Sequence, residues 1–132
     1  MNLIDSNVWI RLAEGQVGVV EFVKFVRDGS KQFYLPGIVV AEIEWVLRSV
    51  YKRETTQIIE FVDSIVGMNN LVVFSDININ KSLDYFRKYN IKMIDAMIAS
   101  IMDGSDMIVS YDRDFDKLPG IKRVEPKDLL VK

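Results

Sequence analysis

The 132-residue sequence predicts an α/β fold: a three-layer α/β/α sandwich around a mostly parallel five-stranded sheet, in one domain spanning residues 1–132. Three observations lead there. Short apolar runs alternate with longer segments of helical period, as in a parallel sheet covered by helices. The length is enough to bury roughly two-thirds of the unfolded surface in one core, and too short for a second domain of ordinary size. The composition, 49% hydrophobic and 27% charged, is that of a globular chain, and no run approaches the roughly 20 apolar residues of a membrane span.

Five runs read as strands: Asn2 to Ile4, Gln32 to Leu35, Asn70 to Phe74, Met107 to Ser110 and Lys122 to Val124. Two of them are thin enough to be edges. Between them Val17 to Arg27, Ile38 to Tyr51, Thr55 to Val66, Ile77 to Tyr89 and Ile94 to Met102 repeat apolar residues at helical spacing. Gly15, Pro36, Gly67, Gly104 and the Pro119-Gly120 pair supply the breaks. Ser75 or Asp76 is suited to cap one helix, and Glu54 precedes another. The chain shows no internal repeat, low-complexity run or linker.

The chain has no His and no Cys, which removes Ser-His-Asp and Cys-His nucleophilic chemistry, thiolate metal sites and imidazole acid–base catalysis. Its net charge of −2 gives no overall electrostatic footprint for nucleic acid, so such binding must rest on local patches and metal. The opening MNLIDSNVWI has an early acid and no basic region, unlike a signal peptide, and the lack of cysteine gives no sign of an oxidising compartment. A cytoplasmic address is expected.

What remains is carboxylate chemistry. Asp5 follows an apolar strand, where open α/β sheets bind ligands. A cap on the following short helix is the plainer role for it, and Ser6 and Asn7 compete for that role. Asp112 holds the equivalent place after the fourth strand, in IVSYDRDF, with Asp114 and Asp116 close behind; such a run is usually solvated loop. Glu42 shares a helical face with Ile38, Trp45, Val46 and Ser49, whereas Glu44 faces away. Asp95 shares a face with Ile98, Ala99 and Met102, although an acid there also gains from the helix dipole. A lone charge in any of these places is costly unless paired or bound to metal. Two acids at strand ends and two at the inward faces of helix starts can converge on one crevice, and all-oxygen donors suit magnesium or manganese.

These segments resemble the PIN-domain nucleases, and within them the compact VapC-type ribonuclease toxins, over essentially the whole chain. IDSNVWI resembles the family's opening strand with its first acid at Asp5, and VVAEIEWVL the second-helix segment with its acid at Glu42. MIDAMIAS resembles the helix of the third acid, at Asp95; IVSYDRDFDKLPGIKRVEP resembles the closing segment, matched at Ser110, Asp112, Asp114 and Phe115. The family commonly has Thr where this chain has Ser110. The resemblance implies a PIN-like fold and a Mg²⁺- or Mn²⁺-dependent endoribonuclease that cleaves RNA phosphodiester bonds, with Asp5, Glu42, Asp95 and Asp112 as ligands. Asn7, Ser110, Asp114 and Asp116 stand as outer-shell groups. It further implies a homodimer and a small antitoxin whose tail fills a groove and brings a basic residue to the acids. A non-toxin PIN nuclease of RNA processing, or an inactive binding domain of the same fold, are the alternatives. A receiver-like phospho-acceptor domain fits poorly: Asp5 is single, and the fifth strand runs into Val124-Glu125-Pro126 without the needed Lys.

For RNA contact the candidates are Arg11, the cluster Arg48, Lys52 and Arg53, the group Arg87, Lys88 and Lys92 before Asp95, and Arg113 with Lys117; their plain reading is solvated surface. Trp9, Phe22 and Trp45 read as core or interface, and Tyr51, Tyr85, Tyr89 and Tyr111 are less committed. Val17, Val20, Phe22, Phe25, Trp45 and Leu47 cannot all face one core, so an apolar surface that needs covering is expected.

Overall fold

The computed structural model describes residues 1–130. Its elements follow the chain as β1 (Asn2–Ile4), α1 (Ser6–Ala13), α2 (Val17–Asp28), β2 (Phe33–Pro36), α3 (Gly37–Ser49), α4 (Thr55–Val66), β3 (Leu71–Phe74), α5 (Ile79–Tyr89), α6 (Met93–Ala99), β4 (Met107–Val109), a 3-10 turn (Arg113–Lys117), β5 (Lys122–Val124) and α7 (Pro126–Leu129). The strands form one sheet in the order β3-β2-β1-β4-β5. Every pairing is parallel, so the sheet is wholly rather than mostly parallel.

This order places β1 at the centre. The chain builds outward on one side through β2 and β3, then returns to the other side of β1 with β4 and β5. The reversal lies between β1 and β4, whose registers are Leu3 opposite Ile108 and Ile4 opposite Val109. In open parallel sheets, a crevice opens at such a point beyond the carboxyl ends of the strands. Asp5 and the Ser110 to Asp112 stretch leave the sheet there.

The core explains why the strands read as unbroken apolar runs. Leu3, Ile4, Phe33, Leu35, Ile108 and Val109 are buried, as they must be where helices cover both sheet faces. Trp9 and Phe22 are fully buried beside them, and Phe22 meets Phe33 edge to face. Trp45, by contrast, is 61% exposed. The buried stripe of α3 is Val39, Ile43 and Leu47, so the helix is rotated from the facing its sequence predicts. Glu42 flanks that stripe and is half-buried. Apolar periodicity gives the width of a helix face, but the side that meets a neighbour is settled by packing.

Helix ends show the same division. Glu54, at the position before α4, forms a reciprocal capping box with Gln57. The α5 cap is not Ser75 or Asp76 but Asn78, whose Oδ1 accepts the Lys81 N–H at 2.9 Å. Asn70, in left-handed backbone at φ 66°, donates its side-chain amide to the carbonyls of Val26, Arg27 and Gly29, closing the end of α2. Gly15 takes φ 75° between α1 and α2, a conformation that favours glycine. Among the described residues no helix is long and apolar enough to cross a membrane.

Candidate functional site

Asp5 takes the capping role its sequence position allows and also lines the cavity beyond the strand ends. It is the cap of α1, with Oδ1 accepting the Ser6 N–H at 2.8 Å. Its other oxygen, Oδ2, accepts from the Ser110 hydroxyl at 2.7 Å and from Asn7 Nδ2 at 3.3 Å. Ser110 Oγ in turn accepts from Asn7 Nδ2 at 3.1 Å and from the Asp112 N–H at 3.0 Å, while Asn7 Oδ1 accepts the Tyr111 N–H at 3.2 Å. Asn7 and Ser110 therefore cross-brace the loops that leave β1 and β4. Asp112 caps the 3-10 turn through a 2.9 Å bond from the Asp114 N–H.

The other two acids arrive from helices. Glu42 on α3 accepts a short hydrogen bond from the Ser6 hydroxyl. Asp95 stands in the first turn of α6 and is only 4% exposed. Its Oδ2 has no hydrogen-bond partner among the described residues, a costly state for a buried carboxylate. Asp5, Glu42, Asp95 and Asp112 all line one cavity of about 520 Å³. Asp95, Asp112 and Asp114 each offer an oxygen within 4.8 Å of the others. Asp114, ranked behind Asp112 on sequence, thus stands close enough to share a cation with it, although Lys117 Nζ lies 3.1 Å from its Oδ1.

The electrostatics match this crowding. Burial pushes the Asp5 carboxyl up to about 6; the Ser110 and Ser6 hydrogen bonds counter the shift, and the charges of Glu42 and Asp112 add to it. Asp95 is raised well above the usual carboxylate range, first by burial and then by Asp5, Asp112 and Glu42. Such a cluster takes up either protons or a cation. The donors are all hard oxygens and one buried oxygen is unsatisfied, so these residues fit a divalent ion of the magnesium or manganese kind.

Not every residue marked on sequence comes to this cavity. Asp116 turns away to pair with Arg123, at 3.0 Å to Nε and 3.3 Å to Nη2. Arg48 is held by Glu44 at 2.7 Å on the outer side of α3, which also places Glu44 away from Glu42. Lys52 and Arg113 are exposed and do not line the cavity. Arg11 does line it, as does Lys92. Ser6, Glu14, Tyr51 and Arg123 carry parts that the sequence did not mark. Ser6 anchors Glu42; Tyr51 bonds Glu14 across the cavity mouth at 2.7 Å; Arg123 donates to the Ser110 carbonyl at 3.0 Å. Each contact joins residues 13 to 37 positions apart, beyond the reach of local pattern.

The fold has clear parallels. The PIN domain family model matches residues 3–121. No curated protein matches the chain in sequence. Among solved structures, VapBC2 from Rickettsia felis, bound to a DNA fragment from its promoter, is similar with a TM-score of 0.68 at 14% identity, over 94% of this chain and 97% of that one. A toxin-antitoxin complex from Klebsiella pneumoniae is similar with a TM-score of 0.63 at 19% identity, over 96% and 98%. Mycobacterium tuberculosis VapC20, described as a sarcin-ricin loop cleaving toxin, is similar with a TM-score of 0.67 at 13% identity, over 88% and 93%. An all-parallel sheet of this order, acids gathered at its switch point and a family match across most of the sequence agree: the chain belongs to the PIN domain family.

Proposed function

We propose that this chain is a magnesium- or manganese-dependent endoribonuclease and the toxin of a type II toxin-antitoxin pair. The observation that carries the reading is the convergence of Asp5, Glu42, Asp95 and Asp112 on one cavity, with a buried Asp95 oxygen that has no hydrogen-bond partner among the described residues. These four would hold the metal, directly or through water, with Asp114 beside Asp95 and Asp112. When bound, the ion supplies electrophilic stabilisation at the scissile phosphate and eases proton loss from an attacking water.

The chain's own groups do the rest. Ser110 and the Ser6 N–H hydrogen-bond both oxygens of Asp5, so its carboxylate is held in one orientation for a metal. The Ser6 hydroxyl does the same for Glu42. Asp5 and Asp95 are buried, so their charges attract a cation more strongly than exposed carboxylates would.

The toxin role draws support from neighbours that were crystallised in toxin-antitoxin assemblies. It also draws on apolar surface left for partners, where Val17, Trp45, Val50 and Ile59 are each more than half exposed. A homodimer and a small antitoxin would cover it, and the cytoplasm is where the protein would meet its RNA.

Incubation of the purified protein with total RNA in magnesium, manganese or EDTA, beside an Asp5→Asn control, tests the nuclease reading. Metal-dependent fragments missing from the control are expected; intact RNA with folded, inhibitor-free protein would refute it. Growth arrest on expression, relieved by co-expressing the small gene product encoded next door, tests the toxin reading.

A further inference from the structure

The cavity that gathers the acids repels a polyanion, so an RNA strand can enter only where cations offset that field. Of the described residues that line it, two carry positive charge: Arg11 on α1 and Lys92, which caps α6 one turn before Asp95. Among the described residues neither joins an ion pair, although Glu14, Glu42, Asp95 and Asp112 line the same cavity. Outside the cavity, Arg48 is committed to Glu44 and Arg123 to Asp116 and Glu125, while Lys52 and Arg113 are exposed and do not line it.

Arg11 is also held in place. Its guanidinium carbon lies 3.6 Å over the centre of the Tyr111 ring, and the Tyr111 N–H is tied to Asn7, one turn before Arg11 on α1. The stack supports one face of the guanidinium and leaves its edge, with a fork of N–H donors, available. An arginine so placed has lost much of its side-chain freedom before any ligand arrives, and the fork matches the oxygens of a phosphate.

We infer that Arg11, stacked on Tyr111, and Lys92 are the phosphate-binding residues of this site and hold the RNA backbone beside the acid cluster. The inference rests on the nuclease reading above. Arg11 supplies a directional, two-pronged contact and Lys92 a point charge. They belong to different elements, so together they give the strand a direction across the cavity. Arg48, Lys52 and Arg113 lie outside this contact.

The test uses a fluorescein-labelled, mixed-sequence single-stranded RNA oligonucleotide in magnesium, with every variant made in an Asp112→Asn background so that the RNA stays intact. Anisotropy gives Kd at a series of salt concentrations. Arg11→Gln is expected to weaken binding about tenfold and to lower the slope of log K against log salt by about 0.7, the value for one cation on a single strand. Adding Lys92→Gln should lower the slope by about 0.7 again. Arg11→Lys should keep the slope while losing affinity, since it keeps the charge and loses the fork. Arg48→Gln should match its parent.

In the chain with Asp112 intact, Arg11→Gln should raise KM for RNA cleavage more than it lowers kcat. Unchanged Kd, slope and KM in a folded Arg11→Gln protein would overturn the inference and leave the nuclease reading standing. An equal loss in Arg48→Gln would overturn it as well, since the contact would then be diffuse. Failure of the unsubstituted chain to cleave or bind any RNA would overturn both.

Discussion

The two ends of β4 treat buried acids in opposite ways. Asp106, just before the strand, is 5% exposed, and Asp5, at the far end beside Ser110, is 3% exposed. Burial alone would raise both. Asp106 nevertheless lies below the usual carboxylate range, because the Met1 amine donates to it at 2.7 Å and the Asp103 N–H at another 2.7 Å. Asp5 has hydrogen-bond donors, but among the described residues no cation pairs with it; burial first, and then the charges of Glu42 and Asp112, raise it to about 6. Burial is therefore not what distinguishes a candidate active site from a structural pair. The distinction lies in burial left uncompensated, and on the proposed reading a cation from solution would complete the set.

Activity should separate the two ends most sharply. Asp5→Asn and Asp95→Asn should each lower RNA cleavage by more than about 100-fold, because even groups behind a metal ligand typically cost 10–100-fold. Asp106→Asn should leave cleavage by the folded protein unchanged. Comparable losses at both ends, measured on the same RNA, would erase the distinction.

Stability against pH should come next in size, and with opposite signs. A carboxyl raised from 3.8 to about 6 adds stability below 3.8 that disappears as pH climbs to about 6, a loss of about 3 kcal/mol for the metal-free protein. Asp95 extends that loss to higher pH. Asp106, being lowered, contributes stability that is present above its ordinary value and vanishes as pH falls through the folded value. Melting curves in EDTA and in magnesium should therefore diverge as pH rises from 5 to about 8, since the metal needs ionised carboxylates. A constant gap across that range would rule out metal binding at Asp5 and Asp95.

Substitutions read by melting in EDTA sharpen the point. Near pH 8, Asp5→Asn should raise stability by about 1 kcal/mol through relief of charge repulsion, less than the full linkage value because an amide fits the Ser110 bond less well. Asp106→Asn should lower it by about 1–3 kcal/mol through a weakened ion pair. Two changes of the same sign would contradict the electrostatic contrast. Smallest is Glu44→Gln, which removes an exposed pair with Arg48 worth about 0.3–0.5 kcal/mol and should not touch cleavage. Glu42→Gln, inside the cavity, should impair it strongly.

Much of the fold was legible because its signals are local. Five apolar runs became five strands within a residue or two of their predicted limits. The failures cluster where long-range packing decides. Trp45 reads as part of an apolar face, yet α3 turns Val39, Ile43 and Leu47 inward and leaves the indole outside. Asp116 looks like a member of an acid trio, but Arg123, seven residues on and across the turn, draws it away. Ser6 reads as a rival helix cap, and its hydroxyl instead reaches a residue 36 positions distant.

By itself the sequence determined the alternation of strand and helix, the chemistry available without His or Cys, and the positions where an acid follows a strand or opens a helix. Each of these depends on neighbours within a turn or two of chain. Only the tertiary structure decided that Asp5, Glu42, Asp95 and Asp112 meet in one cavity, that Asp114 joins the last two while Asp116 does not, and that Arg11 is stacked on Tyr111. The physical reason is the strand order. With β1 between β2 and β4, the loops after β1 and β4 meet at one edge, and residues more than 100 positions apart in sequence come within hydrogen-bond distance.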